Sequence, residues 1–190
     1  AEKETTVSMA CEAGRQAVEE AGILPGEIDM ILVATGSPDQ IFPCTACQVQ
    51  EALGADGAVG FDLNAACSGF LFAYNTAQAY IASGIYRTVL VIGSESISRL
   101  VDWTDRGTCI LFGDGAGAVL LQAAEGRTYR PIAHSDGSGG EALTGPGVRN
   151  RIRSIDKDGE KTKTEYITMN GKDVFQFAVR KVPQVIQEVL

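Results

Sequence analysis

Apolar residues recur at two different spacings in the first part of the chain, and these spacings predict a helix followed by a strand. From Thr6 to Glu20 they recur every three or four positions, the pattern of an amphipathic helix, and Gly22 ends it. From Asp29 to Thr35 they form a continuous run instead. Such a run is typical of a strand that is buried on both faces of a parallel sheet.

The same two patterns alternate through the rest of the chain. The predicted helices are Ala46–Leu53, Gly69–Ser83 ended by Gly84, and Gly171–Leu190, which continues through Pro183. The predicted strands are Ala58–Leu63 (a second buried strand), Arg87–Ile92, Gly117–Ala123 and Tyr129–His134, after which Asp136–Gly140 turns the chain. We therefore expect an α/β fold, with helices packed on a mostly parallel sheet, in one domain over residues 1–190.

Composition narrows the class of protein. The chain has 190 residues, of which 45% are hydrophobic and 21% charged, and this is ordinary for a globular domain. The longest apolar runs, Met30–Ala34 and Thr88–Ile92, are far shorter than the roughly 20 residues of a membrane span. The first residues, Ala1–Thr5, do not resemble a secretory signal, so we expect a cytoplasmic protein. Five cysteines, an odd number, favour reduced thiols over a disulfide framework.

The charge is unevenly distributed. The net charge of −8 argues against nucleic-acid binding, because phosphate neutralisation requires a dense basic surface. A local excess of basic residues nevertheless occurs between Arg149 and Lys163, interrupted by Asp156, Asp158 and Glu160. This segment is interpreted either as a solvated hairpin or as a docking patch for an acidic partner.

Cys67 is the candidate nucleophile. It lies where the predicted strand Ala58–Leu63 gives way to the helix that starts near Gly69. Backbone N–H groups in the first turn of a helix are unpaired, and the positive end of the helix dipole favours a thiolate. Gly69 permits close packing of helix on strand, as in the elbows that present nucleophiles in other α/β enzymes. The alternative is that Cys67 is a small buried hydrophobic residue.

Two other motifs are consistent with binding sites, but their surroundings argue against this. The glycine-rich run Gly113–Gly117 would need a following helix to hold phosphate, whereas a strand is predicted there. We expect its glycines to allow close packing beneath the active site. Cys44 and Cys47 have the spacing of redox and zinc motifs. Zinc generally needs four ligands, and the chain has one histidine and no second cysteine pair, so we expect no metal.

Several segments, in chain order, resemble one known family. They are Asp62–Phe70 (DLNAACSGF), Gly93–Glu95 (GSE) and Asp105–Ala118 (DRGTCILFGDGAGA), with Phe42-Pro43, Ala46–Gln50 and Met169–Phe175 extending the match. Together they resemble β-ketoacyl-acyl carrier protein synthase III. The resemblance implies a thiolase-like fold of layered helices and mixed sheet, of which this chain holds the first half and the start of the second. It also implies a homodimer that condenses an acyl-CoA primer with malonyl-acyl carrier protein to start fatty acid synthesis, with no cofactor beyond acyl-CoA as substrate.

The resemblance assigns roles to individual residues. Cys67 would take the acyl group from CoA as a thioester, and Arg106, with Gly107, would bind CoA. Without the resemblance, Arg106 would be interpreted as a salt-bridge partner of Asp102 or Asp105. Ordinary core packing is the alternative for the residues assigned to the acyl pocket or its entrance. These are Phe42, which would reach the neighbouring subunit's pocket, and Ile97, Leu111, Phe112, Leu143, Met169 and Phe175.

The family's other catalytic groups do not occur in this chain. A histidine and an asparagine stabilise the charge formed on decarboxylation in the family, and neither of their motifs is found before Leu190. His134, the one histidine, aligns with a strand end and loop instead. We therefore expect an internal piece of a longer enzyme. The alternatives are a non-catalytic binding or structural module of a thiolase-like protein, or a chalcone-type or hydroxymethylglutaryl-CoA-type synthase.

Overall fold

The computed structural model describes residues 4–126, 129–147 and 166–190, and the chain divides into two compact units. The first unit comprises Ala1–Ser96 and Gly113–Tyr129, and the second comprises Ile97–Phe112 and Arg130–Leu190. The basic segment between Arg149 and Lys163 lies outside the described residues.

The first unit is a mixed sheet with helices on both faces. Its strands are in the order β2-β1-β3-β4. Strand β1 runs parallel to both β2 and β3, and β4 runs antiparallel to β3. The predicted α/β class and mostly parallel sheet are therefore confirmed. The elements are α1 (Thr6–Ala21), β1 (Met30–Ala34), α2 (Thr45–Leu53), β2 (Val59–Leu63), α3 (Gly69–Ala82), β3 (Thr88–Ser96) and β4 (Asp114–Gln122).

Strand β1 is buried on both faces, as its continuous apolar run predicts. Ile31 and Val33 pack in a core with residues of α1 and α2. Met30 and Leu32 point to the opposite face and pack with residues of α3. None of the five strand residues is more than 5% exposed. Because successive side chains of a strand alternate between faces, this one strand contributes to both cores.

Strand β2 was predicted to be buried, and this is wrong for the described residues. Val59 is 45% exposed and Phe61 is 37% exposed. The reason is position, because β2 lies at the edge of the sheet and pairs only with β1. Gly60 is covered by α2, since an added Cβ would lie 3.2 Å from the Cβ of Ala46 in that helix. Helix α2 therefore protects one face of β2 and leaves the other partly open.

Two further expectations are corrected. Residues 129–134 form no strand, because Pro131 lacks the N–H that a ladder requires. Strand β4 begins at Asp114, earlier than predicted, so Gly115 and Gly117 lie within it. This supports the exclusion of a phosphate cradle. However, a Cβ added to either glycine would meet no described atom within 4 Å. Close packing therefore does not explain these glycines.

The second unit contains a short strand pair and a long helix. Strands β5 (Leu143–Thr144) and β6 (Thr168–Met169) pair antiparallel, and both were missed because two residues carry no periodicity. Helix α4 (Gly171–Val189) runs through Pro183 as predicted, and Asn170 accepts the Asp173 N–H at its start. No helix within the described ranges has the length and apolarity to cross a membrane.

Candidate active site

Cys67 lies in a tight turn between a strand and a helix. A 3-10 turn, Ala66–Ser68, follows the end of β2 and leads directly into α3. Ala66 has a φ of 46°, in the left-handed region that residues other than glycine seldom adopt. The side chain of Cys67 is exposed. The strand-to-helix junction predicted from the sequence is thus present, and the alternative of a buried cysteine does not hold for the described chain.

Local hydrogen bonds hold this turn. Asn64 Oδ1 accepts the N–H of Ala66 at 3.2 Å, an Asx turn that supports the left-handed backbone. The Ser68 N–H donates to Ala65 O at 3.2 Å. The Gly69 N–H donates to Ala66 O as the helix begins. The conformation around Cys67 is therefore fixed by the residues on either side of it.

Glycines allow the turn to sit tightly on the sheet. A Cβ on Gly69 would lie 3.3 Å from the Ala34 Cβ, so the start of α3 touches β1. A Cβ on Gly93 would lie 3.4 Å from the ring of Phe70, which follows Gly69 in the helix. The close helix–strand packing that we predicted from Gly69 is confirmed.

A half-buried carboxylate network lies beside the Asn64 turn, and no role was predicted for it from the sequence. Glu95, near the end of β3, accepts the Gly36 N–H at 2.8 Å and the hydroxyl of Ser37. Ser37 Oγ in turn accepts the Ser96 N–H at 2.8 Å. A Cβ on Gly36 would lie 3.6 Å from Asn64 Oδ1, so this loop adjoins the turn. The motif Gly93–Glu95 was the available signal.

Phe42, predicted to reach a neighbouring subunit, lies in the loop between β1 and α2. It is 81% exposed, and Ile41 beside it is 57% exposed. The loop ends at α2. The N–H groups of Thr45 and Ala46, the first residues of this helix, both donate to the carboxylate of Asp62 in β2 at 2.8 Å. Ordinary core packing does not describe Phe42, but its role at a second pocket stays a prediction.

Arg106 and Gly107 belong to the second unit and lie in a loop built from successive turns. Asp105 Oδ1 accepts the Gly107 N–H at 2.9 Å, and Oδ2 accepts the hydroxyl of Thr108 at 2.8 Å. Both oxygens of Asp105 therefore order their own loop. The side chain of Arg106 projects from this loop and is exposed. Binding of CoA at these two residues stays a prediction.

The predicted pocket residues of the second unit differ in burial. Leu143 and Met169 are brought together as directly paired residues of β5 and β6. Ile97 and Phe112 are half-buried, whereas Leu111 is 60% exposed and Phe175 on α4 is 67% exposed. The last two are not core residues of the described chain. An acyl pocket formed by this set remains a prediction.

Neither His134 nor a cluster of metal-binding side chains forms a second centre in the described part of the chain. His134 Nε2 lies 2.7 Å from Glu188 Oε2 on α4, an exposed contact that accounts for the histidine without catalysis. Within the ranges that the structure covers, no three side chains from histidine, cysteine, aspartate or glutamate converge as metal ligands would.

Several known proteins are similar to this chain in sequence. The model of 3-oxoacyl-[acyl-carrier-protein (ACP)] synthase III matches residues 61–138, a range that includes Cys67 and Arg106. The beta-ketoacyl-[acyl-carrier-protein] synthase III of Erythrobacter litoralis is 46% identical over 98% of this chain and 57% of its own length. That of Synechococcus elongatus is 49% identical over 98% of this chain and 56% of its own length. Over nearly its whole length the chain is similar to proteins named as this synthase, and it spans little more than half of theirs.

Solved structures of this family confirm the fold class. The synthase III of Aquifex aeolicus superposes with a TM-score of 0.77 at 40% identity, over 100% of this chain and 57% of that one. The priming β-ketosynthase of the R1128 polyketide biosynthetic pathway superposes with a TM-score of 0.90 at 34% identity, over 99% and 55% of the two chains. The chain thus has the thiolase-like α/β fold of these synthases and spans little more than half of their length.

Proposed function

We propose that the protein carrying this chain is a β-ketoacyl-acyl carrier protein synthase III, and that this chain supplies its nucleophile. The observation that carries the proposal is the exposed thiol of Cys67, in a strained turn at the start of α3. Relatives named as this synthase align over the same segment. The proposed reaction starts fatty acid synthesis.

The first half-reaction is an acyl transfer. Cys67 Sγ attacks the thioester carbonyl carbon of acyl-CoA, a new carbon–sulfur bond forms, and CoA leaves as its thiol. A covalent intermediate of this kind divides one difficult step into two easier ones. The N–H groups of Ser68 and Gly69 are used within the turn. We assign the N–H of Cys67 itself to the oxygen that becomes negative during the attack.

In the second half-reaction, malonyl-acyl carrier protein loses carbon dioxide and its carbanion attacks the acyl group on Cys67. The thioester bond to Cys67 breaks, and the sulfur is free to begin another cycle. Acyl-CoA enters as a substrate, so the proposed reaction requires no resident cofactor. This chain spans 57% of the length of the Erythrobacter litoralis synthase. We therefore assign the groups that stabilise the carbanion to the whole protein and not to this chain.

Arg106 and Gly107 are proposed to bind CoA. A planar guanidinium can stack on adenine and also meet phosphate charge. Arg106 is exposed on a loop in which the Gly107 N–H and the Thr108 hydroxyl donate to Asp105. Arg106→Ala should raise the KM for acyl-CoA severalfold with a smaller change in kcat. Arg130→Ala, which removes another exposed arginine of the same unit, should leave both values unchanged.

A homodimer is proposed, with the β2 edge as part of the interface. Strand β2 has one neighbour in the sheet, and Val59 and Phe61 are exposed on it. An edge strand with apolar side chains is a template for pairing with another chain. Phe61→Lys should therefore shift sedimentation toward the monomer, whereas Tyr129→Lys, at another exposed aromatic, should not. A monomeric parent protein would contradict this assignment.

Mass spectrometry after incubation with acetyl-CoA tests the central proposal. An acetyl group should appear on the peptide that contains Cys67 and should be absent from Cys67→Ala. Cys109→Ala, at a half-buried cysteine, should retain the adduct. An adduct that persists in Cys67→Ala would reject the nucleophile. Binding of CoA without any adduct would favour a non-catalytic binding module instead.

A further inference from the structure

Cys44 and Cys47 form a close pair of thiols that the proposed synthase reaction does not use. Cys44 immediately precedes α2, and Cys47 lies one turn into the helix. Their Sγ atoms are 3.3 Å apart, hydrogen-bond distance for two thiols. Both sulfurs also approach the carbonyl oxygen of Gly60, at 4.0 and 3.8 Å. The spacing noted in the sequence therefore corresponds to direct contact of the two sulfurs.

The surroundings of the pair fit neither packing in a hydrophobic core nor binding of structural zinc. Cys47 is exposed and Cys44 half-buried, so the two thiols are not simply filling a core. Two thiolates would give zinc half of its usual ligands. No further metal-binding side chain completes a cluster among the residues described. We therefore consider a reaction of the two thiols themselves at the protein surface.

We propose that Cys44 and Cys47 form a reversible intramolecular disulfide by exchange with a small-molecule disulfide. One protein thiolate attacks a sulfur of the small molecule, which releases its first thiol and leaves a mixed disulfide on the protein. The second protein thiolate then attacks the protein sulfur of that mixed disulfide and releases the second thiol. The protein loses two protons and two electrons, and the small molecule gains them.

The geometry requires a small movement. A disulfide bond is about 2.05 Å long, so the sulfurs must approach by a little more than 1 Å. Cys44 lies outside the helix, at its N-cap, and the side chain of Cys47 is exposed. Rotation of these two side chains therefore need not displace the buried face of α2, where Ala46 and Val49 are anchored in the core.

Electrostatics set the pH range of the exchange. The hydrogen bond with Cys44 is the largest cause that raises the pKa of Cys47, followed by partial burial and the negative charges of Cys44 and Asp62. Cys44 lies one helical turn away and Asp62 faces the helix from β2. Cys47 must lose its proton whichever cysteine attacks first. The exchange should therefore accelerate as the pH rises, and it should continue to accelerate above the ordinary pKa of a thiol.

Oxidised glutathione is the probe that tests the proposal on the purified protein. Peptide mass spectrometry should find Cys44 linked to Cys47, with the loss of two hydrogen atoms, and a dithiol reductant should restore both thiols. In Cys44→Ser and in Cys47→Ser, the remaining cysteine should retain glutathione, because no partner can displace it. Cys11→Ser should form the disulfide as the wild type does.

Two outcomes would contradict the formation of this disulfide. Stable glutathione adducts on both cysteines of the wild type, or no reaction at either, would overturn the proposal. Circular dichroism of each serine variant checks that it is folded. The readout is independent of the synthase reaction, since neither cysteine is assigned to it.

Discussion

Gly69 lies so close to Ala34 that a Cβ added to Gly69 would stand 3.3 Å from the Ala34 Cβ. Ala34 belongs to the central strand β1, which is paired on both sides and cannot readily retreat. Because Gly69 is the first residue of α3, the same contact fixes the turn that carries Cys67. The position of the thiol thus depends on the absence of one methyl group.

Gly69→Ala should lower the free energy of unfolding and disturb Cys67. Overpacking costs about 1–3 kcal/mol, and alanine recovers about 0.5–1 kcal/mol in a helix, so we expect a net loss of about 1 kcal/mol. Urea unfolding measures the stability, and the rate of Cys67 alkylation by iodoacetamide reports the displacement. Gly57→Ala is the matched control, since an added Cβ there has open space. Equal values for the two variants would disprove the steric argument.

Glu95→Gln should destabilise the loop beside the Cys67 turn. The carboxylate of Glu95 accepts bonds from the Gly36 N–H and the Ser37 hydroxyl, and a glutamine amide would turn a donor toward one of them. Hydrogen bonds to charged groups contribute about 1.5–3 kcal/mol, so a loss of about 2 kcal/mol is expected. The urea midpoint is the measurement. Glu125→Gln, at an exposed position, should change it little, and a similarly small change for Glu95→Gln would exclude a structural role.

The sequence was sufficient for elements with a strong pattern. The continuous run of β1 could be predicted because both faces of that strand are buried. Strand β2 also contains Val59, Phe61 and Leu63, yet its exposure depends on its place at the sheet edge. Residues adjacent along the chain do not encode that place. Residues 129–134 were predicted as a strand, but Pro131 lacks the N–H that a strand would need.

Some features of the candidate site could also be predicted from the sequence, and others could not. The strand-to-helix junction that carries Cys67 could be predicted because its strand, turn and helix are contiguous in the sequence. The network of Glu95 with Ser37 could not, because its members are separated by 58 positions and meet only when β1 and β3 pair. The cap of α2 by Asp62 is likewise a contact between separate elements.

Asp62→Ala should weaken the start of α2. The side chain of Cys44, at the N-cap, does not cap the helix. Asp62 of β2 accepts the N–H groups of Thr45 and Ala46 instead. Loss of a helix cap costs about 0.5–2 kcal/mol, and Asp62→Asn should cost less because one acceptor remains. Chemical denaturation of the two variants ranks them. Asp56→Ala, an exposed aspartate before β2, serves as the control, and three equal midpoints would refute the cap.

Ser138→Ala should make the stability of the protein less dependent on pH. The hydroxyl and N–H of Ser138 are the main causes that lower the pKa of Asp136, with a smaller contribution from the charge of Lys181. A carboxyl whose pKa is lower in the folded state stabilises the fold above its unfolded pKa of about 3.9, and this contribution is lost as the pH falls through the folded value.

The variant keeps the backbone bond but loses the hydroxyl, so the pKa of Asp136 should rise toward its ordinary value. The difference in unfolding free energy between wild type and variant should be present near neutral pH and absent in strong acid. Ser135→Ala, at an exposed neighbour, should leave the pH profile unchanged, and a Ser138→Ala difference that persists in acid would show that the hydroxyl acts independently of the charge on Asp136.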